Sequence, residues 1–419
     1  MGRPRILFLV RAYNDIDHML PVAWRLAADQ TAEVELLCFN PTYDLAGDFR
    51  IQFLSREYQV PCGYLYQAHL PTLAHRLAAG LICGRSLLPP AAVEWIHERA
   101  RFVLFGRDWP RQMLERQRPD VLVLDWQRPK FFNVVSVLQA ARGLGIPIVA
   151  LPHGMNLVTN FLCTNKAVKE GRDQNFGEDW KYFDFSLVQL DLYRQRVIAG
   201  GVSPDKVLVM GSARFCPEWR EVYKSLLPPD QALAGRGQGK LKVVYMDQHR
   251  RMRLHQERVA EAVLAMTRRP DLELLVKPAT RGVGQTLADP EWGASSEDIS
   301  HLAKSASDSH SPNLIRWADA VLCASSSICL EVLLEGKTLI YPKFFHDNHM
   351  LFEEYGACWT VADQAELEAA LGRAKADPAW RPYDEAQVQA FLAEAVFGGV
   401  PGRDVLGEHA AFILKQAKG

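Results

Sequence analysis

None of the eight cysteines forms a CxxC pair. Closed zinc sites usually show such paired ligands, so a structural zinc is not expected. The cysteines stand mostly in apolar contexts and read as reduced core residues of a cytoplasmic protein. Long apolar runs are missing as well, and no stretch approaches the roughly 18–20 residues of a membrane span. The apolar run within Arg3–Val10 is too short for a signal peptide and leads into the polar Arg11–Asp15. A dominant charge is also lacking. The 48 Lys and Arg nearly balance 49 Asp and Glu, so no global field recruits nucleic acid or a membrane surface. Internal repeats and low-complexity tracts are absent. What remains is 419 residues with 48% hydrophobic and 23% charged content, enough for two or three globular domains.

Short apolar runs alternate with amphipathic stretches along this length, which is the pattern of parallel α/β layers. In the first half the runs are Ile6–Val10, Val34–Phe39, Val121–Leu124, Ile148–Leu151, Phe185–Val188 and Val207–Met210. Between Pro61 and about Trp109 the pattern is helix-rich and less regular. A Gly- and Pro-rich tract from Pro228 to Gly239 marks a linker. The pattern then resumes with Leu241–Met246, Leu272–Val276, Ala320–Cys323 and Thr338–Tyr341, and closes on helices at Glu366–Lys375 and Ala386–Ala395. The expected architecture is α/β, with two Rossmann-like domains and a cleft between them. Their expected bounds are residues 1–222 and 241–385, joined by 223–240, with helices of 386–419 packing back on the first domain.

Ligands of open α/β sheets sit beyond the C-terminal ends of the strands, so the residues following each run are the candidates. After the first run come Asn14, Asp15 and Asp17. Asp15 and Asp17 match the DxD of metal-dependent sugar transferases, while helix capping explains Asn14 and Asp15 as well. Asp125 follows the third run and suits either acceptor contact or a cap. His153 and Gly154 stand at the next strand tip, followed by Asn156. The histidine suits acceptor binding or proton transfer, and equally a structural role. Glu170 lies in the polar stretch after it. Ser212 and Arg214 follow Val207–Met210, where the guanidinium suits a carboxylate or phosphate, or a packed hinge. In the second half Asp247, Gln248 and His249 follow Leu241–Met246. An acidic tip would repel a bound anion, and it makes sense as a nucleophile or as the partner of a cationic sugar carbon. Lys277 and Arg281 are placed to neutralise a leaving phosphate, or form a solvated basic turn.

Most informative is the segment from Ala318 to Pro342. It reads as strand, polar turn, short helix and strand. Ser325, Ser326 and Ser327 offer hydroxyls at the helix start, and Glu331, one turn in, can accept from both hydroxyls of a ribose. An ordinary capped helix with a solvated glutamate is the plainer account.

Taken in order, "LPHG", "GSARFCPEW", "VVYMDQ", "LVKPATRG" and "ADAVLCASSSICLEVLLEGKTLIY" resemble GT-B glycosyltransferases of bacterial surface-polysaccharide assembly, most closely the retaining β-Kdo transferases. The resemblance covers about residues 120–345. It implies a GT-B fold and a metal-independent transfer of Kdo from CMP-β-Kdo to a saccharide or lipid-linked saccharide, in capsule, O-antigen or lipopolysaccharide assembly. In that reading Asp247 is the nucleophile of a double displacement, His153 or Glu170 activates the acceptor, and Ser325–Ser327 with Glu331, Lys277 and Arg281 hold CMP. Gln248, His249, Arg214, Ser212, Gly154, Asn156 and Asp125 then line the donor and acceptor. No cofactor beyond the co-substrate is implied. Other polysaccharide-assembly enzymes are the expected partners, at the inner face of the inner membrane. The chain departs from the family at Val276–Ala279, where a His-Pro pair is usual; Lys277, Arg281 or His249 stands nearest. The alternatives are an inverting GT-B transferase with a CMP- or CDP-linked sialic acid or glycerophosphate donor, a UDP-sugar epimerase, and a non-catalytic binding module.

Overall fold

The computed structural model describes residues 2–40, 43–65, 108–125, 134–171, 178–278, 287, 306 and 308–417. Within these the chain divides into two units. The first comprises Met1–Gly154, Asn175–Leu226 and Ala395–Gly419; the second comprises Met155–Gln174 and Leu227–Glu394.

In the first unit the described strands form one parallel sheet: β1 (Arg5–Val10), β2 (Glu33–Cys38), β3 (Cys62–Tyr64), β4 (Val121–Asp125), β5 (Ile148–Leu151), β6 (Phe185–Val188) and β7 (Val207–Val209). Their order is β3-β2-β1-β4-β5-β6-β7. Val, Ile and Leu fill β1, β4 and β5 almost without interruption because both faces of such a sheet are covered. Helix Tyr13–Ala28 covers one face with Ile16, Met19, Leu20, Ala23 and Leu26, and the C-terminal helix Val405–Gln416 adds Val405, Leu406, Ala410 and Ile413 to the same core. The strand order turns back between β1 and β4, which makes their C-terminal ends the topological switch point of the sheet.

Beyond β7 the chain turns tightly against the C-terminal segment. Gly211 has φ +79°, and a Cβ there would lie 2.5 Å from the Val396 carbonyl oxygen. That oxygen accepts the Ser212 N–H at 2.7 Å. Gly211→Ala therefore combines a left-handed strain with a backbone clash. It is expected to lower stability by at least about 1–3 kcal/mol, read as a shift in the urea midpoint at unchanged slope. A midpoint equal to wild type would show that this turn relaxes freely.

The second unit carries β8 (Leu241–Met246), β9 (Leu272–Lys277), β10 (Ala320–Cys323), β11 (Thr338–Pro342) and β12 (Trp359–Val361), all parallel, in the order β12-β11-β10-β8-β9. This is a doubly wound sheet with its switch point between β8 and β10. Helices Gln256–Thr267 and Gln364–Ala376 bury Val259, Val263, Leu367 and Leu371 in its core. The Met155–Gln174 segment joins this unit through Asn348. The Asn348 side-chain amide donates to the carbonyls of Cys163 at 3.2 Å and Met252 at 2.9 Å, and accepts from Asn160 at 3.1 Å. Val158 bridges to Met350 alongside.

No helix among the described residues is long and apolar enough to cross a membrane. The seven described cysteines are free, six of them buried. The stretch read as helix-rich after Pro61 opens with β3, three residues pairing with Leu36–Cys38; most of the rest lies outside the described residues.

Candidate functional site

Three side chains far apart in sequence meet at the switch point of the first unit. Asp15 stands in the first turn of helix Tyr13–Ala28, Asp125 ends β4, and His153 follows β5 by two residues. All three are at least nine-tenths buried, at 0%, 4% and 5% exposure. His153 Nδ1–H donates to Asp125 Oδ2 in a short hydrogen bond, and Asp15 Oδ1 lies 2.9 Å from the same nitrogen. Asp15 is itself fixed from behind. Its Oδ2 accepts the backbone N–H of Arg11 at 2.7 Å and of Ala12 at 3.3 Å, and the Arg11 guanidinium stands 3.9 Å away. With Nδ1 committed to the carboxylates, Nε2 is the ring nitrogen left for a ligand.

The electrostatics follow from this crowding. Burial works against a charged His153, but Asp125 and Asp15 overcome it and raise the imidazole to about 8. Burial and the neighbouring Asp15 charge push Asp125 up to about 6, against the pull of His153. Burial opposes ionisation of Asp15 too, but the hydrogen bond and charge of His153 prevail and lower it. An imidazolium and a carboxyl group that change charge on either side of neutrality make an acid–base set. Their ligand atoms lie within 4.8 Å of one another, so the same N,O,O set could hold a cation. It is the one group of its kind among the described residues.

Asp17 is not part of this group. Positions i and i+2 of a helix point apart, so Asp15 and Asp17 do not act together as a DxD pair. Asp17 instead receives Arg50 at 2.7 Å and Arg214 at 2.8 Å. Arg214 is thereby tied to a buried carboxylate. Ser212 is fully buried beside the C-terminal segment. The carbonyl of Gly154 accepts the Gln189 side-chain amide at 2.8 Å.

A second polar group occupies the switch point of the second unit. Ser325, just past β10, donates its hydroxyl to Gln248 Oε1, just past β8, at 3.2 Å. Asp247 precedes Gln248, and its oxygens accept the backbone N–H groups of Gln248 and Leu287, each at 2.8 Å. Burial raises Asp247 to about 7 despite those N–H groups and the Tyr245 hydroxyl. His249 Nδ1 accepts the Arg251 N–H at 3.2 Å, which puts its proton on Nε2, and burial with Arg251 and Arg250 keeps the ring neutral by lowering its pKa. Lys277 ends β9 and is mostly buried, and that burial lowers its pKa against the pull of Asp308. Ser326 Oγ accepts the Ile328 N–H at 3.4 Å just before helix Ile328–Leu334, whose N-cap Ser327 and first-turn Glu331 are half-buried.

Glu170 is exposed at the end of helix Asn165–Glu170, 3.7 Å from Lys166. Asn156 turns its own loop by accepting the Val158 N–H at 3.0 Å. Arg281 lies outside the described residues. Asp15 as a partner of His153 was missed from sequence, although its place just after β1 was the available signal. Gln189 was missed although it directly follows β6.

No family model and no curated protein matches this chain. Solved structures do share its fold. S. aureus MnaA in a co-structure with UDP superposes with a TM-score of 0.55 at 13% identity, over 99% of this chain and 98% of that one. The Methanocaldococcus jannaschii UDP-GlcNAc 2-epimerase, in complex with UDP-GlcNAc and UDP, gives 0.52 at 13%, over 99% of both. A glycosyltransferase from Rickettsia africae gives 0.52 at 12%, over 100% of this chain and 99% of that one. These neighbours correct the expected CMP-Kdo donor, because those with a bound nucleotide carry UDP or UDP-GlcNAc. They give no support to the Kdo-transferase part of the resemblance. Its fold part stands: the chain is α/β with the GT-B-type architecture of two Rossmann-like domains.

Proposed function

We propose that this protein is a UDP-sugar epimerase that inverts C2 of a UDP-linked N-acetylhexosamine. The observation that carries the reading is the Asp15–Asp125–His153 group at the switch point of the first sheet. Inversion at a carbon bearing hydrogen requires that its C–H bond break and re-form on the other face. Such chemistry needs an acid and a base that exchange protons near neutral pH, and His153 at about 8 and Asp125 at about 6 meet that requirement. His153 is assigned as the group that handles the proton, and Asp125 and Asp15 as its charge partners.

In the second unit Gln248 and Ser325 are assigned to the nucleotide, with Asp247 holding the Gln248 backbone in place. Glu331 is assigned to the ribose hydroxyls. Glu331→Ala is then expected to weaken UDP binding by about 1–3 kcal/mol in calorimetry, the cost of a charged hydrogen bond. Equal UDP affinity in the variant would remove Glu331 from the site.

The function itself is tested by incubating the protein with UDP-GlcNAc in D2O. Proton NMR should lose the C2–H signal, because solvent deuterium replaces that proton, and gain the H1 signal of the C2 epimer without any acceptor. The glycosyltransferase with the same fold favours a second reading, transfer from a UDP-sugar. An intact C2–H, together with UDP release only when a saccharide is added, would establish that reading and end the first.

A further inference from the structure

We propose that Gln189 is a positioning residue for His153, fixing the main chain that carries the imidazole. Its catalytic consequence rests on the acid–base reading above; its structural consequence does not. The ladder between β5 and β6 pairs only Val149 with Phe185 and Ala150 with Ser186. The chain from Pro152 to Gly154 runs past this ladder, so the strand pairing does not hold it. Gln189 is the first residue after β6 and is fully buried. Its Nε2 donates to the Gly154 carbonyl at 2.8 Å, which extends the hold of β6 on β5 by one side-chain bond. The amide orientation is dictated by chemistry, because a carbonyl can only accept.

The other half of that amide argues for function over packing. No donor among the described residues reaches Gln189 Oε1, although the atom is buried. A half-satisfied buried amide is costly, and an apolar side chain of similar size would fill the space without that cost. What the glutamine supplies in return is one bond, placed one residue after His153. The ring is thus held from two ends. Asp125 and Asp15 take its Nδ1, with the Arg11 guanidinium behind Asp15, and Gln189 takes the backbone.

The test replaces Gln189 in the full chain by Met and by Leu. The melting temperature is expected to change little, since the orphaned Gln189 Oε1 is removed while the Gly154 carbonyl loses its donor. The C2 exchange rate is expected to fall about 10- to 100-fold with KM little changed, the penalty of a displaced catalytic group. NMR titration of the His153 ring is expected to move towards the midpoint of free histidine as its contact with the carboxylates loosens. A His153 titration identical to wild type in either folded variant overturns the proposal, even if the rate falls. If neither variant folds, Gln189→Asn, which keeps the amide but cannot reach Gly154, is judged by the same titration. The titration needs no substrate. A wild-type protein that exchanges no C2 proton would therefore overturn the epimerase reading while leaving Gln189 to be judged separately.

Discussion

Replacing Arg50 by alanine is expected to destabilise the first unit by about 3–5 kcal/mol, the cost of stripping a buried charge from its partners. Arg50 is fully buried between two carboxylates. Its Nη1 lies 2.7 Å from Asp17 Oδ1, and its Nη2 and Nε donate to Asp48 at 2.6 and 3.0 Å. Nη1 also donates to the Tyr13 carbonyl at 3.3 Å, and the guanidinium stacks 4.0 Å from the Tyr13 ring. Among the described residues, removing it leaves Asp17 with Arg214, and Asp48 with the Tyr43 hydroxyl and a helix N–H. Burial pushes the Asp48 pKa up, but the hydrogen bond and charge of Arg50 outweigh it and lower the pKa. A depressed carboxylate stabilises the fold above its unfolded pKa and loses that contribution as pH falls. The deficit of Arg50→Ala should therefore hold from neutral pH down to about 4 and shrink only below the ordinary carboxylate value, as Asp48 takes up its proton. Urea unfolding at pH 7 and at pH 3 reads both. A loss under about 1 kcal/mol at pH 7 would mean that the cluster repacks without its cation.

Most of this fold was readable from sequence because its strands are buried on both faces. Phe185–Val188, Ile148–Leu151, Leu241–Met246 and Ala320–Cys323 stand as strands at the bounds their apolar runs suggest. Two strands were not legible. Cys62–Tyr64 has a glycine at its centre and no fully buried side chain, and Trp359–Val361 is three residues long with an exposed threonine. Neither presents the continuous apolar run by which a central strand is recognised. Both are edge strands, held in place by their neighbours Leu36–Cys38 and Ile340–Pro342 rather than by their own pattern.

The acid–base group was legible only in pieces. Its members lie 110 and 28 residues apart in sequence. They become neighbours because β4 pairs with β1, bypassing β2 and β3, and β5 pairs with β4. That crossover is a property of the sheet order, which no local pattern reports. Asp15 was read beside Asp17 because they are close in sequence, whereas helical geometry separates them and joins Asp15 to His153. The switch-point rule would have selected the ends of β1 and β4 once the order was known. Ser325 and Gln248 meet for the same reason, since β10 pairs with β8 across β9's departure.

The largest functional effect is expected at His153. His153→Gln should lower C2 proton exchange by about 10²–10⁴-fold, the usual contribution of a positioned acid–base group. Glutamine keeps an N–H for the carboxylates but has no nitrogen that titrates near neutrality. The wild-type rate is expected to peak between about 6, where Asp125 ionises, and about 8, where His153 loses its proton. The two values belong to the group as a whole, so removing the imidazole should erase the upper limb and displace the lower one. Stability follows the same protons. His153 and Asp125 both have raised values in the folded chain, so the fold holds protons that the unfolded chain releases. Their contribution is complete below the unfolded values and fades as pH rises, through about 6 for Asp125 and about 8 for His153. His153→Gln should therefore also flatten the fall in melting temperature between about pH 6.5 and 8, an effect that a group engaged only in substrate binding would not produce. Exchange within about threefold of wild type, or a wild-type rate level from pH 5 to 9, would take the proton chemistry away from this cluster.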